Sequence, residues 1–418
     1  MDRQNLTLLT DLYELTMMQG YFNHKDMNET VIFDAFFRQN PMDSGYSIMA
    51  GLQQVIQYVK ELRFEKEDID YLASLGIFSQ DFLDYLKDFK FTGDIYAIPE
   101  GSVMFPREPM IKVIAPIMQA QLVETAILNI INHQSLIATK ASRVCYAAKG
   151  DGVMEFGLRR SQGPDAGTYG ARAAMIGGCV GTSNVLAGQL FDVPVSGTHA
   201  HSWIMSFPDE YTAFKAYADI YPDACILLVD TYDTLKSGVP NAIRVFTEMR
   251  DAGIKSKKYG IRLDSGDLAY LSKKARKMLD EAGFPDAIIS ASNDLDENLI
   301  DSLKTQGATI TSWGVGTHLI TSKDCPSFGG VYKLAAIKRK DGKFIPKIKL
   351  SENTEKVTNP GNKKIYRVYE KETGKIKADL ICLVDDVFDE SQPLLLFDPL
   401  EPWKKTKLAA GTYTLRDL

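Results

Sequence analysis

Gly260-Ile261-Arg262-Leu263-Asp264-Ser265-Gly266-Asp267-Leu268 reads as the end of a strand, a polar turn and the first residue of a helix. Residues 260–263 are apolar except for Arg262. Residues 264–267 are turn formers, and 268–282 carry apolar residues at helical spacing. The same order recurs on both sides of this stretch. Strand-like runs lie at 153–156, 193–195, 225–229, 287–291 and 308–312, and helical patterns at 167–176, 208–220, 241–252 and 294–306. Strands alternating with helices predict βα units around a parallel sheet. Short strands repeating one by one favour a barrel, and about six units predict an incomplete one.

The flanks have a different texture. Residues 10–22 read as an amphipathic helix with Tyr13 in its first turn, and 31–38 as a strand before the turn Gln39-Asn40-Pro41. A helix-like segment runs from 44 to 62, a charged helical stretch from 65 to 89, short strands at 91–97 and 110–115, and a long helix from 122 to 147. Beyond 330 the rhythm stops. Runs at 331–337, 343–350, 364–370 and 376–384 read as antiparallel strands, punctuated by Asp341-Gly342 and Asn359-Pro360-Gly361-Asn362. Pro346 confines its run to an edge or a bulge. The expected organisation is a mixed α/β domain over 1–149, a barrel over 150–328, and a β-rich segment over 329–418 that packs back on the first domain.

The 418 residues carry a formal net charge of −6, which argues against general binding to nucleic acid or a membrane surface. Anionic ligands would need local positive charge. Cys145, Cys179, Cys225, Cys325 and Cys382 have neither zinc-ligand nor redox spacing and are expected to be free thiols. The N-terminal MDRQNLTLLTDLYELTMM has no signal-peptide pattern, and no run is suited to span a bilayer. A reducing cytoplasm is the expected compartment.

Polar signatures follow each predicted strand. They are Gly157-Leu158-Arg159-Arg160, Gly197-Thr198-His199-Ala200-His201, Asp230-Thr231-Tyr232-Asp233, Asp264-Ser265-Gly266-Asp267, Ser292-Asn293-Asp294 and Gly314-Val315-Gly316-Thr317-His318. In a βα barrel these lie at the end where active sites form. A neutral imidazole can attack phosphorus or accept a proton, so His199 and His201 are either reactive groups or satisfied turn residues. Arg262 in a buried strand needs a partner: Asp264, Asp230 or an anionic ligand. Asp264 and Asp267 can hold ribose hydroxyls or Mg²⁺, while Asp267 can equally cap the next helix. The Gly314–Thr317 turn offers amides to a phosphate. Phe156 and Tyr13 would sandwich a flat ring or belong to the core.

Several longer stretches resemble the nicotinate phosphoribosyltransferase family. They include Thr10-Asp11-Leu12-Tyr13-Glu14-Leu15-Thr16, Phe37-Arg38-Gln39-Asn40-Pro41, Ser44-Gly45-Tyr46, Glu155-Phe156-Gly157-Leu158-Arg159-Arg160 and Gly181-Thr182-Ser183-Asn184. The most specific are Gly197-Thr198-His199-Ala200-His201-Ser202-Trp203, Ile261-Arg262-Leu263-Asp264-Ser265-Gly266-Asp267 and Gly314-Val315-Gly316-Thr317, with Asn359-Pro360-Gly361 near the C-terminus. The resemblance implies a type II phosphoribosyltransferase fold, an incomplete α/β barrel beside a mixed α/β domain built from both chain ends. It implies transfer of phosphoribose from phosphoribosyl pyrophosphate to nicotinate, with Mg²⁺, coupled to ATP hydrolysis through a phosphorylated histidine. That histidine is similar in position to His201, whereas His199 falls where the family fixes no residue. By the same resemblance Tyr13, from the partner subunit of a homodimer with shared active sites, and Phe156 stack on the ring. Thr198 and Arg262 contact nicotinate, Gly314, Gly316 and Thr317 hold phosphate with Arg159 nearby, and Asp264 holds ribose.

Nicotinamide-using relatives carry an acid where this chain has Ser183, which favours the carboxylate substrate. The competing readings are the nicotinamide enzyme, a catalytically silent metabolite-binding homologue, the more distant quinolinate enzymes, and a sugar-phosphate aldolase or isomerase. The last would need a strand-end lysine or a Glu/His pair, and none of the strand-end motifs supplies a lysine.

Overall fold

Six parallel strands form the half-barrel. Their spatial order is Gly181–Thr182, Gly152–Glu155, Ser312–Val315, Ile288–Ala291, Tyr259–Leu263 and Cys225–Leu228. The computed structural model describes residues 5–353 and 356–418; residues 1–4, part of the N-terminal stretch read for a leader, lie outside them. The strands are buried almost throughout, as a parallel sheet requires when helices cover it. Val239–Asp251 shows how the covering helices are made. Ala242, Val245, Phe246 and Met249 recur at three- and four-residue intervals and form its buried stripe. Each of these larger side chains contributes about 2 kcal/mol by leaving water.

Aspartates start three of these helices. Asp209 accepts from Thr212 N–H at 2.8 Å, Asp267 from Tyr270 N–H at 2.9 Å, and Asp296 from Leu299 N–H at 2.7 Å. Such a cap is worth about 1 kcal/mol. Asp267 is therefore a capping residue.

The pairing register lines up the strand ends. Arg262 lies opposite Leu228 and Ser290, Trp313 opposite Ala291 and Val153, and Glu155 opposite Val315 and Thr182. Every connection leaves the sheet at the same edge, so the polar segments following the strands gather there.

Two expectations shift. The last strand is Ser312–Val315, not 308–312. Ala308, Thr309 and Ile310 form an approach loop whose apolar Ile310 is buried without being in the sheet. Consequently Gly314 is a strand residue rather than part of a turn. The run 193–195 is not an independent strand; Val195 makes one parallel bridge to Thr182.

The chain divides into two units, residues 136–326, which hold the half-barrel, and residues 1–135 with 327–418. In the second unit both chain ends share a five-stranded sheet. Its order is Phe344–Pro346, Gly330–Lys338, Thr30–Phe37, Ile111–Pro116 and Asp94–Ala97. Thr30–Phe37 is central and almost entirely buried. Its one acid, Asp34, is neutralised by Lys363 at 2.6 Å. Pro346 sits on the edge strand, where its missing N–H costs no ladder bond.

Candidate active site

His201 opens the short helix His201–Met205 and projects between two acids. Its Nδ1 lies 3.0 Å from the Thr231 hydroxyl. Its Nε2 lies 3.9 Å from Asp230 Oδ1 and 3.7 Å from Asp264 Oδ2. Asp230 is almost fully buried, with a side chain 2% exposed. Its Oδ2 accepts from the Asp264 N–H at 2.9 Å and the Ser265 hydroxyl at 2.6 Å, while Oδ1 has no hydrogen-bond partner. Asp264 in turn accepts from the Ser292 hydroxyl. The segments after three consecutive strands thus join His201 in one polar cluster around a half-exposed imidazole.

A second cluster surrounds Arg262. The guanidinium donates to the Thr198 hydroxyl, and its buried Nε has no partner. Burial lowers its pKa from the ordinary value, and the nearby charge of Arg159 adds to this, against the pull of Asp264 and Asp230. An arginine remains charged despite such a shift. It is a desolvated cation with donor capacity to spare.

Phe156 continues the strand Gly152–Glu155 and bonds through its N–H to Val315 O at 2.8 Å. Its ring lies against Gly314. A Cβ there would stand 2.6 Å and 2.8 Å from two ring carbons, so only glycine leaves room for the aromatic ring. Ser183 follows Thr182 on the neighbouring strand, and its N–H donates to Glu155 O at 3.0 Å. The register therefore sets Ser183 beside Phe156. Buried Glu155 fixes this corner by accepting from the Gly157 N–H and, at 2.6 Å, from the Thr182 hydroxyl. Gly316 precedes the short helix Thr317–Ile320 at the same end of the sheet.

The half-barrel unit thus brings together His201, Asp264, Thr198, Arg262 and, through the same sheet edge, Phe156, Ser183, Arg159, Gly316 and Thr317. Tyr13 lies in the other unit, on Leu12–His24, and is 46% exposed. Asp230, expected only as a candidate partner of Arg262, instead lies beside His201, and Thr231 and Ser292 join the cluster without having been assigned a role. Their signal was position alone, in the polar segments directly after strands. Among the described residues no group of three or more His, Cys, Asp or Glu forms a metal cage.

A half-barrel with its functional groups at the strand ends, in a chain whose two ends build a second, antiparallel unit, is the architecture of the type II phosphoribosyltransferases. The structure of human nicotinic acid phosphoribosyltransferase superimposes with a TM-score of 0.82 at 29% identity, covering 98% of this chain and 88% of that one. Nicotinate-nucleotide pyrophosphorylase from Pyrococcus furiosus shares the fold, with a TM-score of 0.72 at 22% identity over 99% and 92% of the two chains. Residues 8–132, 152–372 and 362–418 match, respectively, the nicotinate phosphoribosyltransferase N-terminal domain, family and C-terminal domain. The nicotinate phosphoribosyltransferase of Bacillus subtilis is 50% identical over 396 residues, 95% of this chain and 80% of that protein. This chain belongs to the nicotinate phosphoribosyltransferase family.

Proposed function

We propose that this protein forms nicotinate mononucleotide and pyrophosphate from nicotinate and phosphoribosyl pyrophosphate, in pyridine nucleotide salvage, with ATP hydrolysis coupled through His201. The observation that carries the reading is Arg262, a partly buried guanidinium with an unpartnered Nε, hydrogen-bonded to Thr198. A desolvated cation without a matched carboxylate is suited to a ligand carboxylate, which it would grip through parallel N–H bonds. Phe156 offers an aromatic face for the pyridine ring, and Ser183 beside it brings no negative charge against the carboxylate.

Orientation then does much of the chemistry. The ring nitrogen of nicotinate attacks the anomeric carbon as the bond to pyrophosphate loosens and the sugar gains positive character. Asp264, within reach of a ribose, would hold its hydroxyls and stabilise that charge. The Gly316–Thr317 segment and Arg159 would receive the phosphate oxygens.

His201 is suited to carry a phosphoryl group. Thr231 occupies Nδ1, so Nε2 is the nitrogen open to the γ-phosphorus of ATP; Asp230 and Asp264 stabilise positive charge on the ring as the N–P bond forms and the bond to the departing ADP breaks, and water later takes the phosphoryl group as phosphate. The unpartnered Asp230 Oδ1 beside Asp264 is an oxygen donor set of the kind Mg²⁺ takes, one or two carboxylates completed by water and phosphate oxygens. Bound there, Mg²⁺ would neutralise phosphate charge. The five free thiols support the proposed reducing, cytoplasmic setting, and among the described residues no helix is long and apolar enough to cross a membrane. Exposed Tyr13 supports a homodimer in which it would complete the partner's ring site.

Replacing His201 with Ala tests the coupling. ATP should no longer stimulate mononucleotide formation, while slow ATP-independent transfer persists. Full ATP stimulation in the variant would refute the role of His201.

A further inference from the structure

His199 plays no part in the chemistry above, yet it is built into the gap between the two edges of the half-barrel sheet. The sheet ends at Gly181–Thr182 on one side and Cys225–Leu228 on the other. The segment carrying Thr198 and His201 is tied to both ends. On the first, Thr182 N–H donates to Pro194 O at 3.0 Å and Ser196 N–H to Thr182 O at 2.9 Å. On the second, Cys225 and Val229 donate their N–H groups to Lys258 O and Arg262 O, so the N–H of Leu228 between them points away from the sheet into the open seam. There it meets His199 Nε2, at 3.3 Å. The imidazole thus takes the place of the carbonyl that a further strand would supply.

The ring is held for this task. It is 8% exposed and packs edge-on to Tyr217, with centroids 4.7 Å apart, and against Phe214. Both aromatics lie on the helix Glu210–Ile220. Accepting at Nε2 fixes the proton on Nδ1. Its sequence neighbours reach the chemistry. Thr198 bonds Arg262, His201 bonds Thr231, and Leu228 stands two residues before Asp230.

We infer that His199 is a positioning residue that latches the seam of the half-barrel, setting His201 and Thr198 against Asp230, Thr231 and Arg262. The inference rests on the phosphohistidine reading for its catalytic consequence, but the latch itself is independent of it. Gln can place its carbonyl oxygen close to where Nε2 stands, Asn is too short, and Leu has no acceptor.

The test compares His199→Gln, His199→Asn and His199→Leu with the wild type in the full-length protein. Two readouts are taken: mononucleotide and ADP formed from nicotinate, phosphoribosyl pyrophosphate and ATP, and amide hydrogen exchange of the 225–229 peptide. The Asn and Leu variants should lose roughly 10–100-fold in ATP-dependent kcat, with more ADP released per mononucleotide and faster exchange at Leu228. The Gln variant should recover most of the rate, the coupling ratio and the protection. Equal behaviour of Asn and Gln would overturn the latch, and that pair decides the matter even where the Leu variant fails to fold. A wild-type protein that makes no mononucleotide would refute the proposed function instead, and the exchange comparison would still decide the latch.

Discussion

Replacing Asp230 with Asn separates the electrostatic role of this carboxylate from its structural one. The amide oxygen can still accept from the Asp264 N–H and the Ser265 hydroxyl, so the turn survives. The negative charge 3.9 Å from His201 Nε2 is lost. At an effective dielectric constant of about 20, unit charges at this separation attract by about 4 kcal/mol. The His201 side chain is 39% exposed, so solvent screening reduces this to about 2 kcal/mol. Such a loss slows charging of the imidazole by roughly 30-fold. Acid-labile phosphate on the enzyme, followed in a single turnover with radiolabelled ATP, measures that step directly. The melting temperature should fall by only a few degrees, about what 1 kcal/mol produces in a domain this size. Phosphorylation at the wild-type rate in a folded Asp230→Asn protein would refute the electrostatic role of Asp230.

Other consequences follow from single contacts. Arg262→Lys keeps the charge but loses the planar fork, so the KM for nicotinate should rise roughly 10–100-fold in steady-state assays while the KM for phosphoribosyl pyrophosphate moves little. Gly314→Ala would drive a methyl group into the Phe156 ring and should cost about 1–3 kcal/mol, read as a raised nicotinate KM and a lower melting temperature. Lys140 is fully buried and bonded to Glu297 at 2.7 Å and Asp324 at 2.9 Å, so Lys140→Met should destabilise the half-barrel unit by about 3 kcal/mol in urea titrations. Burial pulls the His199 pKa from 6.5 to about 4, with a smaller opposing pull from the Ala200 backbone. The unfolded chain therefore takes up this proton first. The contribution of the neutral ring is complete above pH 6.5 and is lost as the pH falls through about 4, a change of about 3 kcal/mol that the stability difference between wild type and His199→Gln should show.

The half-barrel was legible because each unit announces itself three times, by an apolar run, a polar end and a helical stripe. Gly260–Asp267 shows all three, and its strand and helix begin within a residue of expectation. Gly181–Thr182 was missed because a two-residue strand has no pattern of its own; it is defined by its neighbour. The run at 308–312 misled because buried loop and strand are equally apolar, and the Gly-containing Ser312–Val315 lacks the β-branched signature. In the site, residue types were easier to read than partners. His201, Arg262 and Asp264 stand out by chemistry, whereas Asp230 reads as a candidate partner of Arg262 and the fold sets it beside His201. His199 shows the converse. Its proximity to His201 in sequence suggests shared chemistry, but neighbouring residues of the loop project in different directions, and its ring goes to the seam.

The measurement that bears most directly on the account is a turnover assay with phosphoribosyl pyrophosphate and Mg²⁺, comparing nicotinate with nicotinamide, each with and without ATP. The account predicts mononucleotide from nicotinate alone, increased by ATP with ADP released. Product from nicotinamide would contradict the reading of Arg262 and Ser183, and no product from either substrate would contradict the proposed activity itself.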